Sequence, residues 1–307
     1  MNIDFIVEYL SSTIRVAVPI ILIALGVCYS EKAGVHAMGA EGYMLIGAFV
    51  SVVMTIATGN HFLGIVFGIL AAAVSSALFS AFAVYLGANQ VICGLGLNFI
   101  MLGLTSALQR LFWGTTGVPR IEAMNPIPIP VLSKIPLIGP MLFNQPILTY
   151  VTYLLIPIAW WIMFKSTWGL QLRAVGENPS CADTLGINVA RTRSISAIVC
   201  GVFCGMGGAV LALQQVQSFT ENISNGRGWL GLIAATFGGW NPVGAAGAGL
   251  VFGASEVLQL RLQMLGNIHI SSYVILMLPY LVALVFILLI GKGRRHPAAM
   301  GKYYRKQ

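Results

Sequence analysis

Charge is scarce in this sequence. Only 8% of its 307 residues are Asp, Glu, Lys or Arg, and nine of them are acidic. A water-facing domain carries roughly a quarter of its residues as charges, so 17 basic and nine acidic side chains are too few to cover a 32.8 kDa surface. A soluble globule is excluded, and most of the surface must face lipid. Cysteine is also sparse. The five are odd in number, and Cys28, Cys93, Cys200 and Cys204 lie in apolar stretches, with Cys181 apart. They read as small packing residues, implying neither a disulfide framework nor a metal site. The chain has no HExxH, no CxxC and no nucleophile elbow. The glycine-rich runs GMGGAV and GAAGAGL lack the spacing of a phosphate loop, so no nucleotide site is expected. A membrane enzyme is left without a nucleophile or metal constellation. Basic residues are not interleaved with exposed aromatics, and nucleic acid is not an expected partner.

What the sequence has is apolar length. Apolar residues make up 57% of it and the mean hydropathy is +0.85. A spanning helix needs about 20 mostly apolar residues, and the runs are too long and continuous for barrel strands. The expected fold is all-α: one transmembrane bundle over 1–307 with about nine membrane segments, at 12–29, 42–57, 62–86, 91–112, 146–164, 194–215, 228–240, 243–264 and 270–290. Of all the charged residues, only Arg15, Arg110, Glu256 and Arg261 fall inside them. Two segments depart from a plain span. The stretch 31–42 holds Glu31, Lys32, His36, Glu41 and three glycines and reads as a broken or re-entrant lead into the second span. Segment 228–240 is about 20 Å long at 1.5 Å per residue, against a hydrocarbon core of roughly 30 Å, and reads as a half-helix. It stops at Trp240-Asn241-Pro242, where Asn can cap and Pro can open the next helix.

Residues 1–10 carry Asp4 and Glu8 but no Lys or Arg, the wrong polarity for a cleavable signal, so the first apolar run is expected to be retained. A cytoplasmic C-terminus gathers eleven basic residues on that side: Lys32, Lys165, Arg173, Arg191, Arg193, and the tail's Lys292, Arg294, Arg295, Lys302, Arg305 and Lys306. The other side has six: Arg15, Arg110, Arg120, Lys134, Arg227 and Arg261. This asymmetry predicts an external N-terminus and a basic cytoplasmic tail, 291–307, on an anionic leaflet. The proline-rich connection 114–145 is then external, either a docking site for an external partner or an ordered cap on the bundle.

The connection 165–193 has the clearest local punctuation. In GENPSCADTLGINV, Asn178 suits a cap, Pro179 the first helical position and Gly186 a left-handed stop. The spacing predicts a helix over 179–185, about 10 Å long. Held between two spans, it would project as a rigid knob with Ala182, Leu185 and Ile187 as apolar contacts for a soluble partner. The alternative is an interfacial helix resting on headgroups.

This stretch resembles the cytoplasmic coupling loop of bacterial ABC importer permeases of the branched-chain amino acid and ribose type. There a G-x-N-x-x-x-A-x-x-x-G-I pattern engages the ATPase, and this chain reads Gly176, Asn178, Ala182, Gly186, Ile187. Two further stretches, EKAGVHAMGAEGYMLIGAF (31–49) and GRGWLGLIAATFGGWNPVGA (226–245), are similar to the subgroup serving nucleosides and simple sugars. Where that subgroup typically reads ERSGVINIGLEGMML, Lys32, Ala33, His36, Ala37 and Ala40 depart. The likeness runs over about 12–290. It implies a permease in a bacterial plasma membrane, with Gly176, Glu177, Asn178, Pro179, Ala182, Asp183, Leu185, Gly186 and Ile187 engaging an ABC ATPase subunit. ATP and Mg would bind that partner, with no cofactor on this chain. A homologous second permease and an external solute-binding protein complete the implied assembly. The solute would be a nucleoside or simple sugar, with branched-chain amino acids or another small solute as the alternative. A different class, an ion-coupled carrier, would use Glu41 or Glu256 as a proton site.

Polar groups inside the bundle are costly and mark a candidate translocation path: Glu41, Asn98, Glu256 and Gln259, with Asn241 at the helix break. The alternative role is interhelical hydrogen bonding, worth roughly 1 kcal/mol per bond. Glu256 is expected to pair with Arg261. His36 and His269 read as interfacial. The pairs Gly64/Gly68, Gly201/Gly205 and Gly249/Gly253 predict close helix packing.

Overall fold

A computed structural model of the chain describes residues 3–114, 117–129, 138–264, 272–290 and 296–305. His269, Lys134, Lys292, Arg294, Arg295 and Lys306, together with the start of the expected last span, lie outside the described residues. The architecture is an all-α bundle. The long helices are α1 (Ile3–Lys32), α2 (Ala40–Thr58), α3 (His61–Ser80), α4 (Gln90–Trp113), α6 (Ile147–Lys165), α9 (Val189–Ala209) and α11 (Pro242–Met264). Short ones intervene: α5 (Ile138–Leu142), α7 (Thr167–Glu177), α8 (Pro179–Thr184), α10 (Arg227–Phe237), α12 (Ser272–Leu276) and α13 (Leu278–Ile290). Among the described residues, seven helices are long and apolar enough to cross a membrane. The other two of the nine expected segments hold only shorter helices. Segment 228–240 contracts to the 11-residue α10, and the described part of 270–290 is divided into α12 and α13 just ahead of Pro279, whose missing N–H interrupts a helix.

The helix α1 is the axis. Ala17, Ile20, Leu22, Ile23, Ala24 and Leu25 are fully or almost fully buried, packed among α9, α10 and α11. The lipid-facing side is carried by α3, α4 and α6, where Phe62, Val74, Ile92, Phe99, Leu111 and Leu154 stand exposed. Apolar side chains left in water at this density would be unsustainable, whereas hydrocarbon accepts them.

Small residues bring α2, α3 and α9 together. A Cβ on Gly47 would stand 2.7 Å from the Gly205 Cα, and one on Gly68 would stand 2.6 Å from the Gly47 carbonyl oxygen. Across the axis, Gly249 meets Ile21 and Gly253 meets Ala17. All three glycine pairs picked from the sequence therefore sit at close crossings, the arrangement that maximises dispersion contacts where lipid removes the hydrophobic driving force. Two helices end in π-helical turns that the sequence did not signal, Ala81–Tyr85 after α3 and Val210–Val216 after α9.

The end of the bundle at which 165–193 emerges is called the loop end here, and the opposite one the far end. After Lys32 at the loop end the chain breaks, with Gly34 at φ +85°. It then climbs beside α4. The His36 N–H donates to the Gln90 side chain (2.9 Å), and Asn98 receives the Gly42 N–H (2.8 Å) while donating to the Met38 carbonyl (2.7 Å). Gln90 and Asn98 are eight residues apart on α4, about 12 Å of helix. The second long helix therefore starts well inside the bundle, and the expected break over 31–42 is present.

At the far end, Ile127–Pro128 (β1) pairs antiparallel with Asn144–Gln145 (β2). Arg15 of α1 donates to the Gln145 side chain (2.9 Å) and the Asn144 carbonyl (3.2 Å), which ties this connection to the bundle. The described part of 114–145 is thus held against α1 at this end of the bundle.

Candidate functional site

Three caps in series build the 165–193 knob. Ser166 receives the Gly169 N–H (3.0 Å) and starts α7; Asn178 receives the Cys181 N–H (3.1 Å) and starts α8, with Pro179 in its first turn; Asn188 receives the Arg191 N–H (2.9 Å) and starts α9. Gly186, at φ +83°, turns the chain between the last two, and the Ile187 N–H closes onto the Ala182 carbonyl (3.1 Å). The short helix ends at Thr184, one residue before the expected limit.

The knob has its own small core of Val175, Ala182 and Val189, with Ala174, Ile187 and Tyr304 packed on it. Ala182 is buried, so it holds the knob together and is not available as the partner contact its spacing implied. Gly176 is buried too, against the Lys32 carbonyl at the end of α1. Of the residues expected to engage the partner, Glu177, Asn178, Gly186 and above all Leu185, which is 75% exposed, are exposed. Pro179, Asp183 and Ile187 are half-buried. A groove of about 380 Å³ beside this tip is bounded by Asp183, Gly186, Asn188 and Tyr304. Tyr304 donates to the Asp183 carboxylate (3.1 Å). Desolvation and that carboxylate push the phenol up from its ordinary range, so it stays protonated as the donor.

The intramembrane polar residues sort by what they touch. Glu41, in the first turn of α2, accepts the Gly226 N–H (2.9 Å) and the Gly228 N–H (2.7 Å) at the beginning of α10. One carboxylate thus faces two helix N-termini, where unpaired N–H groups and positive dipole ends gather. Asn98 satisfies backbone at the break before α2, and Asn241 caps α11 by receiving the Val243 N–H (3.1 Å). Gln259 is half-buried on α11.

Glu256 pairs with Arg227 at 2.6 Å, not with Arg261 as expected. Residues five apart on a helix point about 140° apart at 100° per residue, so Arg261 faces elsewhere. It pairs instead with Glu8 (3.3 Å) and lies over the Tyr9 ring. His36 is half-buried, within 3.9 Å of Glu31.

Next to the Arg227–Glu256 pair, a cavity of about 940 Å³ opens at the far end between α1, the π-helical turn and α11. Its polar lining includes Arg15, Arg227, Asn125, Gln214 and Gln215. None of Glu41, Asn98, Asn241, Glu256 and Gln259 lines it; Glu41, Asn98 and Asn241 bond at the starts of helices, and Glu256 ties α11 to Arg227 at the start of α10. The sequence did carry a signal for this cavity in the amide-rich run Gln214-Gln215-Val216-Gln217, which closes an otherwise apolar span. Among the described residues no group of His, Cys, Asp and Glu is arranged to hold a metal.

The family model described as "Branched-chain amino acid transport system / permease component" matches residues 9–291. The chain is 37% identical over 284 residues to the guanosine ABC transporter permease protein NupQ of Bacillus subtilis, covering 89% of each chain. It is 36% identical over 297 residues to the nucleoside ABC transporter permease protein NupC of Lactococcus lactis subsp. cremoris, covering 94% of this chain and 93% of the relative. The putative glucose ABC transporter permease protein TsgC13 of Haloferax volcanii is 35% identical over 269 residues, 85% of this chain and 80% of its own. No solved structure matches. A multi-pass helical bundle, matched nearly end to end, thus belongs to the branched-chain amino acid transport system permease family, as a transport subunit of an ABC transporter whose ATP hydrolysis falls to a separate ATPase.

Proposed function

We propose that this chain forms the membrane path of an ATP-driven importer for nucleosides, in a bacterial plasma membrane. The relatives named for guanosine and nucleoside transport support that solute class, and the relative named for glucose makes simple sugars the runner-up. The observation that carries the mechanism is the knob. Three consecutive caps and a private core hold Leu185 and Gly186 rigidly beyond the bundle, which suits insertion into a groove of an ABC ATPase. The loop end is cytoplasmic and the N-terminus external, in keeping with the eleven-to-six distribution of basic residues. ATP and Mg bind the ATPase, with no cofactor on this chain. A homologous second permease completes the membrane part, and an external solute-binding protein delivers solute to the far end.

The cavity there is the outer part of the solute path. Amides and guanidinium groups on an apolar wall fit a flat, polar solute that hydrogen-bonds along its edge. Glu41, Asn98 and Asn241 govern the path by holding the breaks at which α2, α10 and α11 begin, and Glu256 by pairing with Arg227 at the start of α10; Gln259 is assigned to the path by its place on α11. Closure of the ATPase pushes the knob, and the broken elements reorient to open the inner side.

Reconstitution of the full transporter in proteoliposomes tests the reading. Labelled guanosine should accumulate only with ATP and the ATPase, and unlabelled glucose or leucine should not compete. Uphill accumulation by this polypeptide alone, driven by an ion gradient, would replace the reading with an ion-coupled carrier.

A further inference from the structure

Residues 296–305 do not trail away from the bundle. They run across its loop end and touch elements far apart in sequence. The Ala299 N–H donates to the Gly176 carbonyl in the knob (3.0 Å), and the Gly301 N–H donates to the Gly34 carbonyl in the break after α1 (3.0 Å). Tyr304 reaches Asp183 of α8, and His296 stacks on Trp240 between α10 and α11, with ring centroids 6.5 Å apart. Trp240 in turn donates to Glu31 at the end of α1 (2.6 Å).

At the centre of these contacts is Arg193, in the first turns of α9 and 3% exposed. Its guanidinium donates to the Ala33 carbonyl (3.3 Å), the Lys302 carbonyl (2.7 Å) and the Ala299 carbonyl (3.4 Å). Among the described residues no carboxylate forms an ion pair with it. A buried cation is costly unless its donors are satisfied, and three carbonyls, one for each guanidinium nitrogen, suit a fork of donors that an ammonium does not reproduce. The sequence counted Arg193 only as a topogenic charge. The fold places it where the tail, the break at 33–39 and the base of the knob meet.

We propose that residues 296–305, pinned by Arg193, form a strap that carries displacement of the knob to the 33–39 break, and that Arg193 is a positioning residue for coupling ATP hydrolysis to transport. The linkage is continuous. Displacement of α7 and α8 pulls on the strap at Gly176 and Asp183. The strap and Arg193 together hold Ala33 and Gly34. That segment leads within a few residues to Glu41, whose carboxylate holds the beginning of α10 beside the cavity. This inference rests on the coupling role assigned to the knob.

The test measures solute imported and ATP hydrolysed by the full reconstituted transporter carrying Arg193→Lys, Tyr304→Phe or a stop after residue 295. R193K and the truncation should lower the ratio of solute moved per ATP at least tenfold, and Y304F a few-fold, while the ATPase still co-purifies. A ratio equal to that of the unaltered protein, with both rates falling only in proportion to assembled transporter, would overturn the proposal. If R193K fails to assemble, Y304F decides, because it removes one hydrogen bond at a half-buried site. Leu185→Asp separates the two levels of inference. If it leaves ATPase binding and uptake intact, the knob reading itself fails. If it abolishes both while the strap variants keep the normal ratio, only the strap fails.

Discussion

Glu41 and Gly228 stand 187 residues apart in the chain and are joined by a 2.7 Å hydrogen bond from the glycine N–H to the carboxylate. The bond fixes the start of one interrupted helix against the start of another. It also explains the glycine: a Cβ at position 228 would stand 2.6 Å from the Glu41 Cα. Replacing Glu41 by Ala leaves the first N–H groups of α10 without their anionic partner, an expected loss of about 1.5–3 kcal/mol for charge-assisted bonds. Glu41→Gln should recover part of it, because its amide keeps one acceptor oxygen. Thermal unfolding in detergent checks the order, and an E41A protein as stable as the parent would refute the capping role.

The ion pairs offer a second comparison. Arg227–Glu256 is largely withdrawn from solvent, whereas Glu8, the partner of Arg261, is 75% exposed in its side chain. Removing one member of a buried pair strands the other charge, at roughly 3–5 kcal/mol, while an exposed pair is worth about 0–1 kcal/mol. Arg227→Ala should therefore destabilise the protein much more than Arg261→Ala. Equal effects would mean that the 2.6 Å pairing does not hold the base of the cavity.

Gly186 has φ +83° and open space around the position of a Cβ. Gly186→Val there meets backbone strain of roughly 1–2 kcal/mol and no steric wall. Membrane insertion should survive, and ATP-driven uptake should fall sharply as the turn presenting Leu185 changes shape. Unchanged uptake would remove this turn from the mechanism.

Glycines within the bundle divide by surroundings. Gly47 lies against Gly205, whereas nothing stands within 4 Å of a Cβ on Gly96. Gly47→Ala should force α2 away from α9 and lower the melting temperature. Gly96→Ala should be neutral or stabilising by about 0.5–1 kcal/mol, since an open helical position gains only the helix preference of alanine. Thermal melts of the two variants distinguish crossing from lipid-facing positions.

Much of the knob was legible beforehand because capping is local chemistry. Asn178, Pro179 and Gly186 act on N–H groups within a few residues of themselves, so their order along the chain specified the turn–helix–turn. The break over 31–42 and the half-helix ending before Pro242 were legible for the same reason. The roles of Ala182 and Glu256 were not. Spacing marked Ala182 as apolar but not which side of a six-residue helix would be covered, and Glu256 had a nearer basic residue in sequence than in space.

Apolar run length and the scarcity of charge by themselves determined that this chain is a lipid-embedded helical bundle, since only closed helical hydrogen bonding satisfies a backbone in hydrocarbon. Partner choice between distant segments was decided by the tertiary structure alone. Glu41 at the start of α10, Arg227 on Glu256, and Arg193 beneath the 296–305 strap each depend on how rigid helices pack, and that packing is settled by glycine contacts and crossings summed over the whole bundle.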